Sequence, residues 1–143
     1  MITMETVLRG AKKGINTTLE LAKTIVPIYF IITFLNHTPI MLWISHLFSP
    51  LMGLLGLPGE ASVVLALGYW FNLYGAVGAI MTLNLSVQQI TNLGLMLTIS
   101  HNLLLETAIT KRMGAPTWLT MSLRIGMSLL TGIVFNALLS LIL

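Results

Sequence analysis

The side chains best able to do chemistry stand inside apolar runs. Glu106 closes the segment Ser100-His101-Asn102-Leu103-Leu104-Leu105-Glu106, with Asn102 one helical turn before it on the same face. A carboxylate in such surroundings is costly and faces a cavity or a partner, so Glu106 is a candidate for proton exchange. The competing reading puts Glu106 near the membrane surface, paired with Lys111 or Arg112. Asn84, Gln88 and Asn92 recur every four residues, so one helix face presents three amides. Amides can read an uncharged polar solute, such as a sugar hydroxyl or a nucleobase edge. They can equally join helices, at about 0.6–2 kcal/mol per interhelical hydrogen bond. Asn36 and His37 precede a proline and could face the same cavity as His101, and Asn72 interrupts another apolar run. Together these residues predict a polar solute site formed by Asn72, Gln88, Asn92, His101, Asn102 and Glu106.

Other chemistries are excluded by what the chain lacks. With no cysteine there is neither a disulfide framework nor a thiolate nucleophile or ligand. The three histidines, His37, His46 and His101, make no i, i+4 pair and no HExxH pattern, so no metal site is expected. Walker, GxGxxG and GxSxG signatures are absent, so neither an enzyme nor a cofactor is predicted. No basic stripe interleaved with aromatics suggests nucleic-acid binding.

The elements that must position these residues are set by composition. Of 143 residues, 56% are hydrophobic and 8% charged, with a mean hydropathy of +0.94. Soluble chains carry about 25% charged residues, so the solvent here is largely lipid. Six of the eleven charged residues (Glu5, Arg9, Lys12, Lys13, Glu20 and Lys23) fall in the first 23 positions. That stretch is too long for the basic region of a cleaved signal peptide, and the apolar run after it exceeds the usual length of about 7–15 residues, so the N-terminus is expected to stay in the mature protein.

In residues 3–22, Val7, Leu8, Ala11, Ile15, Leu19 and Ala22 recur at helical spacing, while Arg9, Lys13, Asn16 and Glu20 occupy another face. The expectation is an interfacial amphipathic helix over 1–23, followed by one membrane-embedded domain over 24–143. A solvated helix leading into the first span is the alternative. The first span is expected from Thr24 to about Leu47, with Pro27 in its first turn and Pro39 breaking it. The stretch SPLMGLLGLPGE (49–60) carries turn chemistry and predicts a helical hairpin with its tip at Pro58, Gly59 and Glu60. Gly75, Ala76, Gly78 and Ala79 would let another helix approach closely. Lys111-Arg112-Met113-Gly114-Ala115-Pro116 reads as a helix stop, and residues 117–143 as the last span. Arg124, about 12 Å along that span at 1.5 Å per residue, either snorkels to the interface or meets a carboxylate.

Positive charge is retained on the cytoplasmic side, which places both the N-terminal cluster and Lys111-Arg112 there. The chain between Glu60 and Thr110 must therefore return in one net crossing, favouring a re-entrant or broken element plus one true span, with four plain spans as the alternative. The fold class expected is all-α: a polytopic membrane protein with an N-terminal amphipathic helix, about three to four spans and broken or re-entrant helical hairpin elements.

The segments GLPGEASVVLALGYWFNLYGAVGAI (56–80) and SHNLLLETAITKRMG (100–114) resemble the nucleoside recognition, or Gate, domain proteins, a grouping that includes spore maturation membrane proteins and the gate segments of ferrous-iron transporters. The resemblance covers about residues 25–140. It implies half of a transporter, paired as a homodimer or with a related half-sized homologue, with a nucleoside-like solute suggested by the family's name; the polar residues at the breaks add the expectation of a polar small-molecule solute in the inner (cytoplasmic) membrane, with Glu106 able to link its passage to protons. Pro58, Gly59 and Glu60 match the family's hairpin tip, and His101, Asn102 and Glu106 its broken helix. The GTPase domain of iron transporters has no counterpart here. A structural or regulatory membrane subunit without transport of its own is the alternative expectation.

Overall fold

The computed structural model of the chain describes residues 4–142, save the side chain of Ile142. Residues 1–3 of the expected first helix and Leu143 of the expected last span lie outside the described residues. All regular structure among the described residues is helical: α1 (Met4–Asn36), α2 (Pro39–Leu54), α3 (Ala61–Ala66) running into a π turn (Leu67–Phe71), α4 (Leu73–Ile80), α5 (Val87–Ile99), α6 (Leu103–Arg112) and α7 (Thr117–Ile142). Among the described residues three stretches are long and apolar enough to cross a membrane: Met4–Asn36, Val87–Arg112 and Thr117–Leu141. The second is interrupted by Ser100, His101 and Asn102. α2, with 16 residues, reaches only about 24 Å at 1.5 Å per residue, short of a hydrocarbon core of about 30 Å.

The first span differs from its expected limits. α1 is continuous through Thr24, holds Pro27 in its interior and ends at Asn36, eleven residues before Leu47. The break falls at His37 and Thr38, where Pro39 cannot continue α1 and instead opens α2 at a position that has no use for an N–H. The side chains there close the old helix: Thr38 Oγ1 donates to Leu35 O at 2.7 Å, and His37 Nδ1 lies 2.8 Å from Thr33 O.

α2 ends in a Schellman turn. Gly56 adopts φ +67°, Leu57 N donates to Met52 O and Gly56 N to Gly53 O. The carbonyls this turn leaves free are taken by amide side chains from two other helices. Asn136 Nδ2 reaches Leu54 O (3.3 Å), Asn92 Nδ2 reaches Leu55 O (2.7 Å), and Gln89 Nε2 reaches Gly56 O (3.3 Å). A Cβ on Gly56 would sit 2.0 Å from Asn136 Oδ1, so glycine is required there twice over. Gln89 also completes a capping box with Ser86 that starts α5.

The expected stop after Lys111-Arg112 is observed: Gly114 has φ +79° and Pro116 precedes α7. Gly75, Ala76, Gly78 and Ala79 are all buried, and α4 packs on α1 with Gly78 against the backbone of Ile25. The core unites Ile32, Met41, Met52, Leu55, Val64, Leu93, Met96, Leu97 and Leu103, so helices distant in sequence share one interior. Phe30, Phe34, Trp43, Trp118 and Leu123 face outward, as lipid-facing residues do.

Candidate functional site

Two interrupted helices cross at Gly68. In the first, the π turn shifts the backbone register, so that Asn72 N donates to Leu67 O (3.1 Å), five residues back. Gly68 O thereby loses its usual i+4 donor. Asn72 then turns to an extended conformation, and its Oδ1 accepts from Gly75 N at 2.7 Å, capping α4. In the second, α5 ends at Ile99, Ser100 leaves helical geometry, and Asn102 adopts the left-handed conformation at φ 51°, ψ 39° before α6 begins. Asparagine tolerates that conformation better than most side chains. Asn102 N donates to Gly68 O at 3.1 Å, so the carbonyl freed by one break is satisfied by the N–H freed at the other. A Cβ on Gly68 would lie 2.3 Å from Leu97 Cδ2 and 3.1 Å from Ala76 Cβ, so only glycine lets these helices meet without displacement.

α7 supplies the remaining partners. Arg124 donates from Nε (3.1 Å) and Nη2 (3.0 Å) to Ile99 O, a carbonyl at the interrupted end of α5, and from Nη1 to the carboxylate of Glu106. A cation at a helix C-terminus is favoured by the dipole, and the planar guanidinium serves both acceptors at once. Glu106 N in turn donates to Asn102 O, and His101 Nδ1 lies 3.0 Å from Leu97 O. Nearby, Tyr69 and Ser128 share a buried hydrogen bond of 2.6 Å, and Ser128 Oγ donates to Met96 O at 2.8 Å, so the Tyr69 hydroxyl is the donor of the pair. Ser100 Oγ is fully buried with no partner. A cavity of about 170 Å³ opens beside the ion pair, lined by Glu106, Arg124, Thr107, Thr110, Thr120, Leu103 and Met121.

The six residues expected around a solute are therefore dispersed. His101, Asn102 and Glu106 gather at the second break, and Asn72 forms the first. Asn92 lies elsewhere, buried between α2 and α7 with Nδ2 on Leu55 O and Gly132 O (3.2 Å), and Gln88 is exposed on the outside of α5. Arg124 meets a carboxylate rather than snorkelling, and that carboxylate is held by Arg124 rather than by Lys111 or Arg112. Asn36 does not share a cavity with His101: it donates to Thr82 O and lines a separate cavity with Glu60 and Asn84. Glu60 and Glu106 thus line different cavities. Gly68, Tyr69 and Ser128 were not foreseen. Only the polar positions of Tyr69 and Ser128 in apolar runs hint at them, and nothing local marks Gly68 among twelve glycines.

These features define a polytopic, all-helical membrane protein whose helices are broken and stitched together within the apolar zone. The chain belongs to the Gate family, whose model, described as nucleoside recognition, matches residues 18–142. It is 40% identical over 129 residues to an uncharacterized membrane protein, YvoD, of Bacillus subtilis (strain 168), covering 90% of this chain and 41% of that one. It is 37% identical over 81 residues to the inner membrane protein YjiG of Escherichia coli (strain K12), covering 56% of this chain and 52% of the relative. The chain thus spans about half the length of these relatives. No solved structure matches it.

Proposed function

We propose that the chain is a half-transporter of the inner membrane that assembles with a second copy or a related half around a polar, nucleoside-like solute. The observation that carries this reading is the junction of two broken helices through Asn102 and Gly68. Irregular backbone at membrane depth is tolerated only against protein or a water-filled cavity, and discontinuous helices are how transporters build solute sites. His101, Asn102, Asn72 and Glu106 are the solute-facing groups in this reading, and Glu106, alternating between Arg124 and a proton, links uptake to protons. The segment from α2 to α4 acts as a re-entrant hairpin unit with its tip at Pro58, Gly59 and Glu60. The charged first turns of α1 stay at the cytoplasmic surface, with Arg9, Lys12 and Lys13 toward anionic headgroups, and the apolar remainder of the same helix crosses. Three crossings leave the two termini on opposite sides of the membrane, and an inverted or duplicated partner would complete a symmetric pore. The greater part of YvoD lies beyond the matched region, which is in keeping with a second half in that relative. No catalytic role is proposed.

Uptake of labelled nucleosides into liposomes carrying the purified protein tests the proposal. Saturable uptake by wild type that is slowed in Glu106→Gln supports it. Equal rates in the two would remove Glu106 from the mechanism, and no uptake by a folded assembly would overturn the transport reading. A second reading, a structural or regulatory subunit, is favoured by the amides of Asn92, Gln89 and Asn136, all engaged on backbone carbonyls. Under it Asn102→Ala and Glu106→Gln lower assembly stability with no separable loss of solute binding.

A further inference from the structure

We propose that the cavity between the end of α1, the first turns of α2 and the loop after α4 binds a primary ammonium group through Glu60. This cavity, about 260 Å³, is lined by Asn36, Ser45, Glu60, Thr82 and Asn84, with Met41, Leu42 and Leu83 as its apolar wall. It is separate from the helix crossing, so its test stands apart from the uptake experiment.

The cavity carries one unmatched charge. Glu60 is the carboxylate left without an ion pair among the described residues: Glu5 pairs with Arg9, Glu20 with Lys23 and Glu106 with Arg124. Two of the donors on the wall are already engaged, while the Ser45 hydroxyl and the Asn84 amide can each accept as well as donate. Asn36 Nδ2 donates to Thr82 O (3.1 Å) and Thr82 Oγ1 to Ala79 O (2.8 Å), while Asn36 Oδ1 is buried with no partner. What remains is one negative charge, the unpartnered Asn36 Oδ1, two neutral side chains able to accept and no basic residue in the lining. An ammonium carries three donors, no acceptor and the complementary charge.

Ligand number decides between an organic amine and a bare metal ion. At about 30 Å³ per water the cavity would hold several waters around an ion, and a single carboxylate is far from the six to eight close oxygens that calcium requires. An amine with a short carbon skeleton fits within it beside water, the ammonium at Glu60 and the carbons against Met41, Leu42 and Leu83. The support is rigid. The backbone of Gly59 lies so close to Ser45 O that a Cβ there would approach to 2.0 Å, and Glu60 O is held by Val63 N at 3.1 Å. A soluble amine and the ethanolamine headgroup of a lipid share this chemistry.

The full chain, purified into phosphatidylcholine nanodiscs, is titrated with ethanolamine, methylammonium, tetramethylammonium, sodium and potassium chloride at constant ionic strength while thermal unfolding is followed. The two primary amines are expected to raise the unfolding temperature saturably and the other cations to leave it unchanged, with Glu60→Gln weakening the apparent amine affinity at least tenfold. A response shared by alkali ions or tetramethylammonium, no response at all, or an unaltered response in Glu60→Gln would overturn the assignment. Should Glu60→Gln fail to fold, the cation series on wild type decides. Repeating the titration in phosphatidylethanolamine nanodiscs identifies the source. Loss of the free-amine response there assigns the site to the lipid headgroup and its persistence to a soluble amine, and both outcomes support ammonium recognition.

Discussion

The backbone N–H of Asn102 donates to the carbonyl of Gly68 at 3.1 Å, joining two helices at the point where each is interrupted. The donor is free because Asn102 starts a new helix, and the acceptor because the π turn hands the N–H of Asn72 to Leu67. Each break therefore answers a hydrogen-bonding need that the other creates, which in lipid no water would meet.

Close packing at this junction makes Gly68 intolerant of a side chain. Gly68→Ala is expected to lower stability by about 1–3 kcal/mol, the usual penalty of overpacking. In a Leu97→Ala background the same change should cost less, since Leu97 Cδ2 is the nearest atom to the new methyl. Unfolding midpoints of the single and double variants in detergent check this; equal losses in both backgrounds would show that the clash is not with Leu97.

Arg124 serves a helix end and a carboxylate together. Arg124→Met strands both Ile99 O and Glu106, and should cost about 2–4 kcal/mol, below the figure for a fully buried pair because the two side chains keep 29% and 34% exposure. Glu106→Gln leaves an acceptor in place and should cost less. Arg124→Lys is expected to resemble Met more than Arg, because a single ammonium cannot reproduce the fork. A double-mutant cycle on unfolding free energies measures the coupling.

The amides on α5 have opposite fates. Asn92→Leu removes the donor to Leu55 O and Gly132 O in a buried position and should destabilise by about 2–3 kcal/mol. Gln88→Leu, exposed on the same helix, should stay within about 0.5 kcal/mol of wild type. The reverse order would contradict the role assigned to Asn92.

Tyr69 and Ser128 offer an asymmetric pair. Tyr69→Phe removes one hydrogen bond and leaves Ser128 bonded to Met96 O, for a loss of about 1 kcal/mol. Ser128→Ala strands a buried phenol hydroxyl and Met96 O, and should lose about 1–3 kcal/mol. Thermal unfolding that ranks Tyr69→Phe as the more damaging change would reverse the donor assignment.

Topology can be read chemically because the chain has no cysteine. Met4→Cys and Met113→Cys, both highly exposed, should react with an impermeant maleimide from the cytoplasmic side. Asn84→Cys should react from the opposite side, since Thr82 is bonded to Asn36 where α1 ends. Labelling of Met4→Cys and Met113→Cys from different sides would rule out an even number of crossings between them.

The lipid environment, the helix stops and the places where helices break were legible in the sequence. Scarce charge, Pro39, the Gly114-Pro116 stop and the polar triplet at 100–102 act through local rules that need no knowledge of distant residues. The start of the first span is misplaced by Pro27, which is accommodated inside a long helix, and its end by Pro39, which closes α1 instead of only bending it. Partner choice was not legible. Arg124 had two equally local futures, the interface or a carboxylate, and only the packing of α7 on α5 and α6 brings it between Ile99 and Glu106. The same holds for Asn92, whose amide could bind a solute or a carbonyl until the Schellman turn of α2 arrives beside it. Periodicity determines which face of a helix is polar, whereas the acceptor that face meets depends on where sequence-distant chain comes to rest. The sequence by itself thus determined the solvent, the helices and their interruptions, and the tertiary structure alone decided which freed backbone group and which carboxylate each polar side chain would hold.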